Sequence, residues 1–283
     1  MHIKTLPEPS ARFLWKNSTN ASGRKTVPLK YILIASLFFT HSLPAQTVQD
    51  LPLPSGYSRL PQTAGTFGAW LRKVTLKKDN TVYLYNGDKK TNQSAQFAVL
   101  DISVGKKDLQ QCADAVMRLY AEYRYANREL NHITFKATDG SVMDYAGWAK
   151  GDRFALRNGR LKRSRTATPA ENRAVFTQYL EFVFSYAGTL SLSRELQPVT
   201  DIQPGDVYIQ GGSPGHAVIV MDVAVNKAGK KIFLLAQSYM PAQDIHILRN
   251  PVSGSSPWYE AAGSGDLLTP EWTFSRGDLK RFK

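Results

Sequence analysis

Two apolar segments in the last third of the chain constrain the fold more than any other feature. HAVIVMDV (216–223) and KIFLLAQ (231–237) are nearly continuous apolar runs. Runs of this length, bounded by turn-forming residues, are typical of strands that are buried on both faces. Gly, Pro and Asn residues separate them from two further strand candidates, DVYIQ (206–210) and DIHIL (244–248). This section is therefore predicted to be a β-sheet.

The middle of the chain is predicted to be largely helical. Residues 108–130 carry apolar side chains at helical spacing after a candidate N-cap, Asp108, and residues 170–186 form a strongly amphipathic pattern. Residues 81–85 and 96–104 are predicted strands, because they are rich in β-branched and aromatic residues. A helical part followed by an antiparallel sheet predicts an α+β domain.

The N-terminal segment is typical of a secretory signal. Residues 31–43 (YILIASLFFTHSL) are an apolar run that follows Arg24, Lys25 and Lys30 and ends at a small residue after Leu43-Pro44. The run is shorter than the roughly 20 residues that a membrane-spanning helix needs. We therefore expect residues 1–45 to be a signal peptide with an extended n-region, and residues 46–283 to form a single domain in the periplasm or outside the cell. No stable membrane span is expected after cleavage.

The basic charge of the chain does not predict a nucleic-acid partner. The whole chain has 36 Lys and Arg against 23 Asp and Glu, and residues 1–45 hold six of those basic residues and one acidic residue. The dense basic cluster, residues 157–165 (RNGRLKRSR), has no interleaved aromatic side chains and is predicted to be an exposed loop or hairpin tip. The oligomeric state is left open.

A lone cysteine and one histidine are the strongest candidates for chemistry. Cys112 is the chain's single Cys and lies near the predicted start of a helix, where the helix dipole favours a thiolate. His216 opens a buried strand directly after the glycine-rich loop 211–215. Such a histidine is held rigidly while the loop leaves access open. His132 is predicted to be exposed, and His246 to lie on the solvent face of an edge strand.

A thiol nucleophile needs an imidazole base, and that imidazole needs a residue to orient it. Gln237 is the best-placed orienting residue, because it ends the strand predicted to lie beside that of His216. Asp222 and Asp244 are alternatives. The oxyanion donor stays open among the Cys112 backbone N–H and three side chains, those of Gln93, Gln96 and Gln111.

The order Cys112, His216, Gln237 resembles the papain-like superfamily of cysteine peptidases and amidases, including its NlpC-type and CHAP cell-wall enzymes. Residues 204–223 (PGDVYIQGGSPGHAVIVMDV) are similar to that superfamily's approach to its histidine, and residues 233–241 (FLLAQSYMP) to the strand that follows. The chain also resembles an uncharacterised family of secreted bacterial proteins that carry a domain of unknown function.

The resemblance implies an exported thiol hydrolase that cleaves an amide bond in a cell-envelope peptide or glycopeptide. In it, Cys112 would be the nucleophile, His216 the base and Gln237 the orienting residue, without a metal or other cofactor. Trp148, Gly212 and Tyr239 are candidates for substrate binding. The alternative is a non-catalytic envelope-binding module on the same fold. Sequence motifs for zinc, nucleotide or serine-hydrolase chemistry are absent.

Overall fold

The computed structural model describes residues 46–254, 256–263 and 265–283. The helices in this part of the chain are α1 (Phe67–Arg72), α2 (Cys112–Ala126), α3 (Tyr145–Ala149), α4 (Arg173–Tyr186) and α5 (Thr189–Glu195). Three short 3-10 helices cover Val48–Asp50, Leu130–His132 and Arg276–Asp278. None of the helices in the described ranges is long and apolar enough to cross a membrane. The predicted signal peptide, residues 1–45, lies outside the described residues.

The strands are numbered in chain order. They are β1 (Tyr57–Arg59), β2 (Gln96–Val99), β3 (Thr134–Lys136), β4 (Val142–Asp144), β5 (Asp152–Arg157), β6 (Arg160–Arg165), β7 (Gln197–Pro198), β8 (Val207–Gln210), β9 (His216–Asn226), β10 (Lys231–Gln237), β11 (His246–Leu248), β12 (Trp258–Glu260), β13 (Leu267–Leu268), β14 (Thr273–Phe274) and β15 (Leu279–Arg281). Their arrangement is a mixed helix-and-sheet structure, and the predicted antiparallel sheet is confirmed.

The main sheet has nine strands and is organised around β9 and β10. Its order is β2-β11-β10-β9-β8-β15-β7, with β1 also pairing with β9 and β12 with β10. Strand β9 is long enough for two partners on one edge: β8 pairs with its first half and β1 with its last residues. Three two-stranded hairpins, β3-β4, β5-β6 and β13-β14, lie outside this sheet.

Strand β9 is buried on both faces, which explains its continuous apolar sequence. Ala217, Ile219 and Met221 belong to the larger core cluster, which also contains the buried face of α2. Val218 and Val220 point to the opposite face and belong to a second cluster with residues of β8, β10 and the C-terminal segment. Because side chains alternate along a strand, both sides of β9 need apolar partners.

Two local predictions in the first half are wrong. Residues 81–85 form only isolated bridges, because the N–H of Val82 donates to the Gln93 side chain and that of Tyr83 donates to the Asp244 carboxylate instead of to a neighbouring strand. The N-cap of α2 is Gln111 and not Asp108, whose carboxylate accepts hydrogen bonds from the Gln111 side chain and the N–H of Ala242.

The basic segment 157–165 forms the tip and second strand of the β5-β6 hairpin, as predicted for an exposed hairpin tip. Two arginines of this segment pair with carboxylates. The Arg163 guanidinium pairs with Asp144 and Asp152, and Arg165 also pairs with Asp152.

A buried carboxylate ties the N-terminal segment to the main sheet. Asp222 on β9 is fully buried, and its two oxygens lie 2.8 Å from Arg59 Nε and 2.7 Å from Arg72 Nε. Arg59 also donates to the carbonyl of Leu51, and Arg72 to the carbonyl of Leu60. One carboxylate is therefore the shared counter-ion of two largely buried guanidinium groups that come from β1 and α1.

We expect Asp222→Asn to lower the free energy of unfolding by about 3–5 kcal/mol, because it leaves two buried guanidinium groups without a counter-ion. Urea denaturation measures this loss. The matched control is Asp201→Asn, which removes the exposed partner of Lys231 and should cost about 1 kcal/mol or less. Equal costs for the two variants would contradict the role assigned to Asp222.

Candidate functional site

Cys112 is the first residue of α2, and the segment before it is fixed to the loop after β10. The buried Ser238 hydroxyl lies 2.8 Å from the carbonyl oxygen of Gln110, and the N–H of Ala242 donates to the Asp108 carboxylate at 2.7 Å. At the helix start, Asp114 accepts a hydrogen bond from the N–H of Gln111. These contacts hold the start of α2 against the end of the sheet that carries Gln237.

The Cys112 thiol is nearly enclosed. Cys112 is 9% exposed, and burial, together with the nearby Asp114 carboxylate, raises the pKa of the thiol to about 11. The backbone N–H groups of Ala113, Ala217 and Cys112 itself act in the opposite direction and lower this pKa. The contribution of Ala217 places the sulfur beside the first residues of β9, directly after His216.

His216 begins β9 directly after a glycine-rich loop in which Gly215 has no space for a side chain. A Cβ atom at Gly215 would lie 2.5 Å from Thr189 Oγ1 and 2.7 Å from the carbonyl oxygen of Gly212. Gly212 has a φ of +149°, which glycine tolerates best, and its carbonyl accepts a hydrogen bond from Thr189. The glycine-rich loop is therefore packed against α5 and fixes where the imidazole enters the sheet.

Gln237 contacts the imidazole, and the two alternative orienting residues do not. Gln237 Oε1 lies 2.9 Å from Nε2 of His216, and both residues are almost fully buried. Asp222 is held by Arg59 and Arg72, and the Asp244 carboxylate is held by Lys77 and the N–H of Tyr83. Of the three candidates, Gln237 alone lies within hydrogen-bonding distance of His216.

Burial leaves both candidate catalytic groups uncharged at rest. His216 is 1% exposed, and desolvation lowers its pKa to about 4, against the opposing effects of the Gln237 hydrogen bond and the nearby Glu271 carboxylate. With the thiol pKa raised and the imidazole pKa lowered, the resting state at neutral pH is a thiol and a neutral imidazole. Within the described part of the chain, no hydrogen bond joins the Cys112 sulfur to the His216 ring.

Aromatic side chains surround the imidazole. The ring centroids of Tyr239, Trp272 and Phe274 lie 4.9, 5.4 and 5.9 Å from that of His216. Gly212 and Tyr239, two of the candidates for substrate binding, therefore lie in the loop before His216 and against its ring, respectively.

Trp148, the third candidate for substrate binding, lies elsewhere. It packs with Phe154, Tyr179 and Phe182 in the helical part, with the Arg153 guanidinium over its ring. The structure does not group it with His216.

Sequence reasoning missed the contribution of the C-terminal hairpin. The β13-β14 hairpin brings Glu271, Trp272 and Phe274 to the site from more than fifty residues beyond His216. Glu271 accepts hydrogen bonds from Gln237 Nε2 and from Lys90 Nζ, each at 2.6 Å. The two strands of this hairpin have only two residues each. A pattern that short has no periodicity from which the position of these residues beside His216 could be predicted.

His246 is buried, which corrects the prediction that it faces solvent. Strand β11 is an internal strand, since β10 and β2 pair with its two edges. His246 lies opposite Gln237 in the register, and its Nδ1 lies 2.9 Å from the carbonyl oxygen of Asp244. Desolvation, with a smaller effect from nearby Lys90, lowers the pKa of His246 to about 4.

Three side chains considered as oxyanion donors are engaged elsewhere. Gln93 bonds to the backbone of Val82, Gln96 donates to Gln93 Oε1, and Gln111 donates to Asp108. The backbone N–H groups at the start of α2 have no intrahelical acceptor, so that of Cys112 remains a donor candidate. Over the ranges that the structure describes, no group of three or more His, Cys, Asp or Glu residues could hold a metal ion.

The two buried histidines make the fold sensitive to acid. Their pKa values in the folded chain are about 4, below the ordinary 6.5, so protons bind preferentially to the unfolded chain as the pH falls below 6.5. The stability that each contributes is therefore complete above pH 6.5 and is lost progressively towards pH 4.

We expect His246→Gln to reduce the loss of unfolding free energy between pH 7.5 and pH 5 by about 2 kcal/mol relative to the wild type. Urea denaturation at the two pH values measures this difference. His132→Gln is the matched control, because His132 is exposed and the substitution should leave the pH dependence unchanged. An unchanged pH dependence in His246→Gln would contradict the assignment.

Comparison with known proteins identifies a family and no activity. No curated protein matches the chain, and no solved structure does. One family profile, described as "Domain of unknown function (4846)", matches residues 48–281, which is most of the chain and includes Cys112, His216, Gln237 and Glu271. The chain therefore belongs to the DUF4846 family.

Proposed function

We propose that this protein is an exported thiol hydrolase that cleaves an amide bond, with its catalytic residues in a papain-like arrangement. The observation that carries the proposal is the 2.9 Å contact between His216 Nε2 and Gln237 Oε1, beside a cysteine at the first position of a helix. The sulfur of that cysteine lies against the backbone N–H that follows His216. A nucleophile, a base and an orienting residue are the parts that thiol catalysis needs.

The chemistry follows from the neutral resting pair. As the Cys112 sulfur attacks the amide carbonyl carbon, the thiol proton passes to His216, and a tetrahedral intermediate forms. His216 then gives that proton to the leaving amine as the carbon–nitrogen bond breaks, which leaves a thioester on Cys112. Water, deprotonated by His216, attacks the thioester and releases the carboxylic acid and the free thiol. Gln237 holds the imidazole throughout.

The proposed substrate is a cell-envelope peptide or glycopeptide. This part of the proposal rests on the resemblance of the His216 and Gln237 segments to cell-wall cysteine enzymes and on the predicted signal peptide. Tyr239 and Gly212 are the proposed substrate contacts, because Tyr239 packs against the imidazole and Gly212 lies in the loop that leads into His216. Cys112 is only 9% exposed, so the substrate must reach a largely buried nucleophile.

A second candidate function is an envelope-binding module without catalysis. The enclosed thiol and its raised pKa favour this alternative, because a buried cysteine with a high pKa is a poor nucleophile. The two functions differ in whether the protein releases a product, so one experiment separates them.

The test is digestion of purified peptidoglycan by the protein comprising residues 46–283, with products separated by liquid chromatography and identified by mass. We expect release of peptide fragments with new amino and carboxyl ends. Cys112→Ala should abolish release, and His216→Ala should slow it by about 10²–10⁴-fold, because the general base is lost. His132→Ala, a substitution at an exposed histidine, should release fragments at the wild-type rate.

Equal release by wild type and Cys112→Ala, with both folded by circular dichroism, would overturn the catalytic proposal. If the wild type sediments with peptidoglycan and releases no fragment, the binding module is the better account.

Export is proposed from residues 1–45 and has its own test. When the full chain is produced in a bacterial host, we expect the protein to be recovered from the periplasm or medium with Gln46 as its first residue. Intact-mass measurement gives the position of cleavage. Replacing Leu37 and Phe38 with Asp should keep the uncleaved protein in the cytoplasm, because it breaks the apolar run. A full-length protein in the cytoplasm of cells that make the wild-type chain would contradict export.

A further inference from the structure

We propose that Glu271, held by Lys90, is a positioning residue that fixes the tautomer of His216 through Gln237. The inference rests on the proposed function for its catalytic meaning, but it concerns the resting protein and can be tested there. The atoms form one chain: His216 Nε2 to Gln237 Oε1 at 2.9 Å, Gln237 Nε2 to Glu271 Oε2 at 2.6 Å, and Lys90 Nζ to that same oxygen at 2.6 Å.

The carboxylate determines which way the Gln237 amide points. An ionised carboxylate only accepts hydrogen bonds, so the group that Gln237 presents to Glu271 must be its NH₂. The amide oxygen then necessarily faces His216. This orientation follows from the chemistry of the two side chains and needs no further assumption about the amide.

The amide orientation determines in turn which ring nitrogen of His216 carries the proton. Because the Gln237 oxygen accepts, the nitrogen facing it, Nε2, must be the donor. In a neutral imidazole the other nitrogen, Nδ1, then has a free lone pair. Nδ1 is therefore the nitrogen available to take a proton from Cys112. If the Gln237 amide were reversed, Nδ1 would carry the proton and could not act as a base.

Lys90 provides the counter-ion for the largely buried carboxylate of Glu271. Its side chain is 8% exposed and that of Glu271 is 13% exposed, so each charge is largely desolvated and the pair is mutually stabilising. Asn92 Nδ2 lies 3.4 Å from the second carboxylate oxygen. The pair comes from two distant parts of the chain, the segment before β2 and the β13-β14 hairpin.

The test is nitrogen-15 NMR of the imidazole groups in the protein comprising residues 46–283, labelled on histidine and without substrate. The chemical shifts of Nδ1 and Nε2 distinguish the two neutral tautomers. We expect wild-type His216 to be the Nε2–H tautomer. In the double variant Lys90→Met/Glu271→Gln the new amide can donate or accept, and no lysine holds its oxygen towards Gln237. Gln237 therefore loses its fixed orientation, and a substantial Nδ1–H population should appear.

The double variant Lys90→Met/Glu271→Met covers the case in which Lys90→Met/Glu271→Gln does not fold, because it leaves neither an unpaired lysine nor a buried amide at position 271. It should show the same mixture of tautomers. Glu181→Gln is the matched control: it removes the pair between Glu181 on α4 and Lys107, and it should leave His216 in the Nε2–H form.

A folded form of either double variant in which His216 remains wholly Nε2–H would overturn the inference. A wild-type spectrum with Nδ1–H at His216 would also overturn it. Neither outcome depends on turnover, so a wild type that shows the expected tautomers but releases no peptidoglycan fragment would refute the proposed function and leave the inference standing.

Discussion

Burial of β9 on both faces is the constraint on which the rest of the structure depends. A strand of eleven residues with apolar side chains on both sides needs two separate layers of partners. Helix α2 supplies part of one layer, and the C-terminal segment supplies part of the other. The N-terminal segment is drawn in as well, because the one carboxylate in the middle of β9, Asp222, must be neutralised, and its counter-ions come from β1 and α1.

The same constraint produces the candidate site. Where β9, β10 and β11 lie side by side, their apolar alternation is interrupted on one face by His216, Gln237 and His246. A buried polar group is costly unless it is hydrogen-bonded, so each needs a partner close by. His216 Nε2 is hydrogen-bonded to Gln237 Oε1, and His246 Nδ1 is hydrogen-bonded to the carbonyl oxygen of Asp244. The β13-β14 hairpin then covers this row with one carboxylate and two aromatic rings.

The sequence predicts the parts of this arrangement that depend on local patterns. Apolar runs identify β9 and β10, and the position of Gln237 at the end of β10 follows from the length of its run. The predicted start of α2 at Asp108 is wrong. A capping side chain is defined by the backbone N–H to which it bonds, and Asp108 accepts a hydrogen bond from the N–H of Ala242, which is distant in sequence.

The burial of His246 was missed for a related reason. The alternation in DIHIL shows that His246 faces away from Ile245 and Ile247, but it cannot show that this second face is covered. Lys90 and Glu271 approach from segments with no periodicity of their own. Tertiary contacts alone reveal that they meet Gln237.

An amide at position 237 is suited to this environment in a way that a carboxylate is not. A carboxylate there would face Glu271, so two negative charges would share a site with a single lysine, and one of them would be driven to take up a proton. It would also favour the charged imidazolium and oppose the desolvation that lowers the pKa of His216. The Glu271–Lys90 pair orients the Gln237 amide, and the amide orients the imidazole without adding a charge beside it. The Gln237 side chain therefore separates the charged groups of Glu271 and Lys90 from His216. The imidazole stays neutral and able to accept a proton.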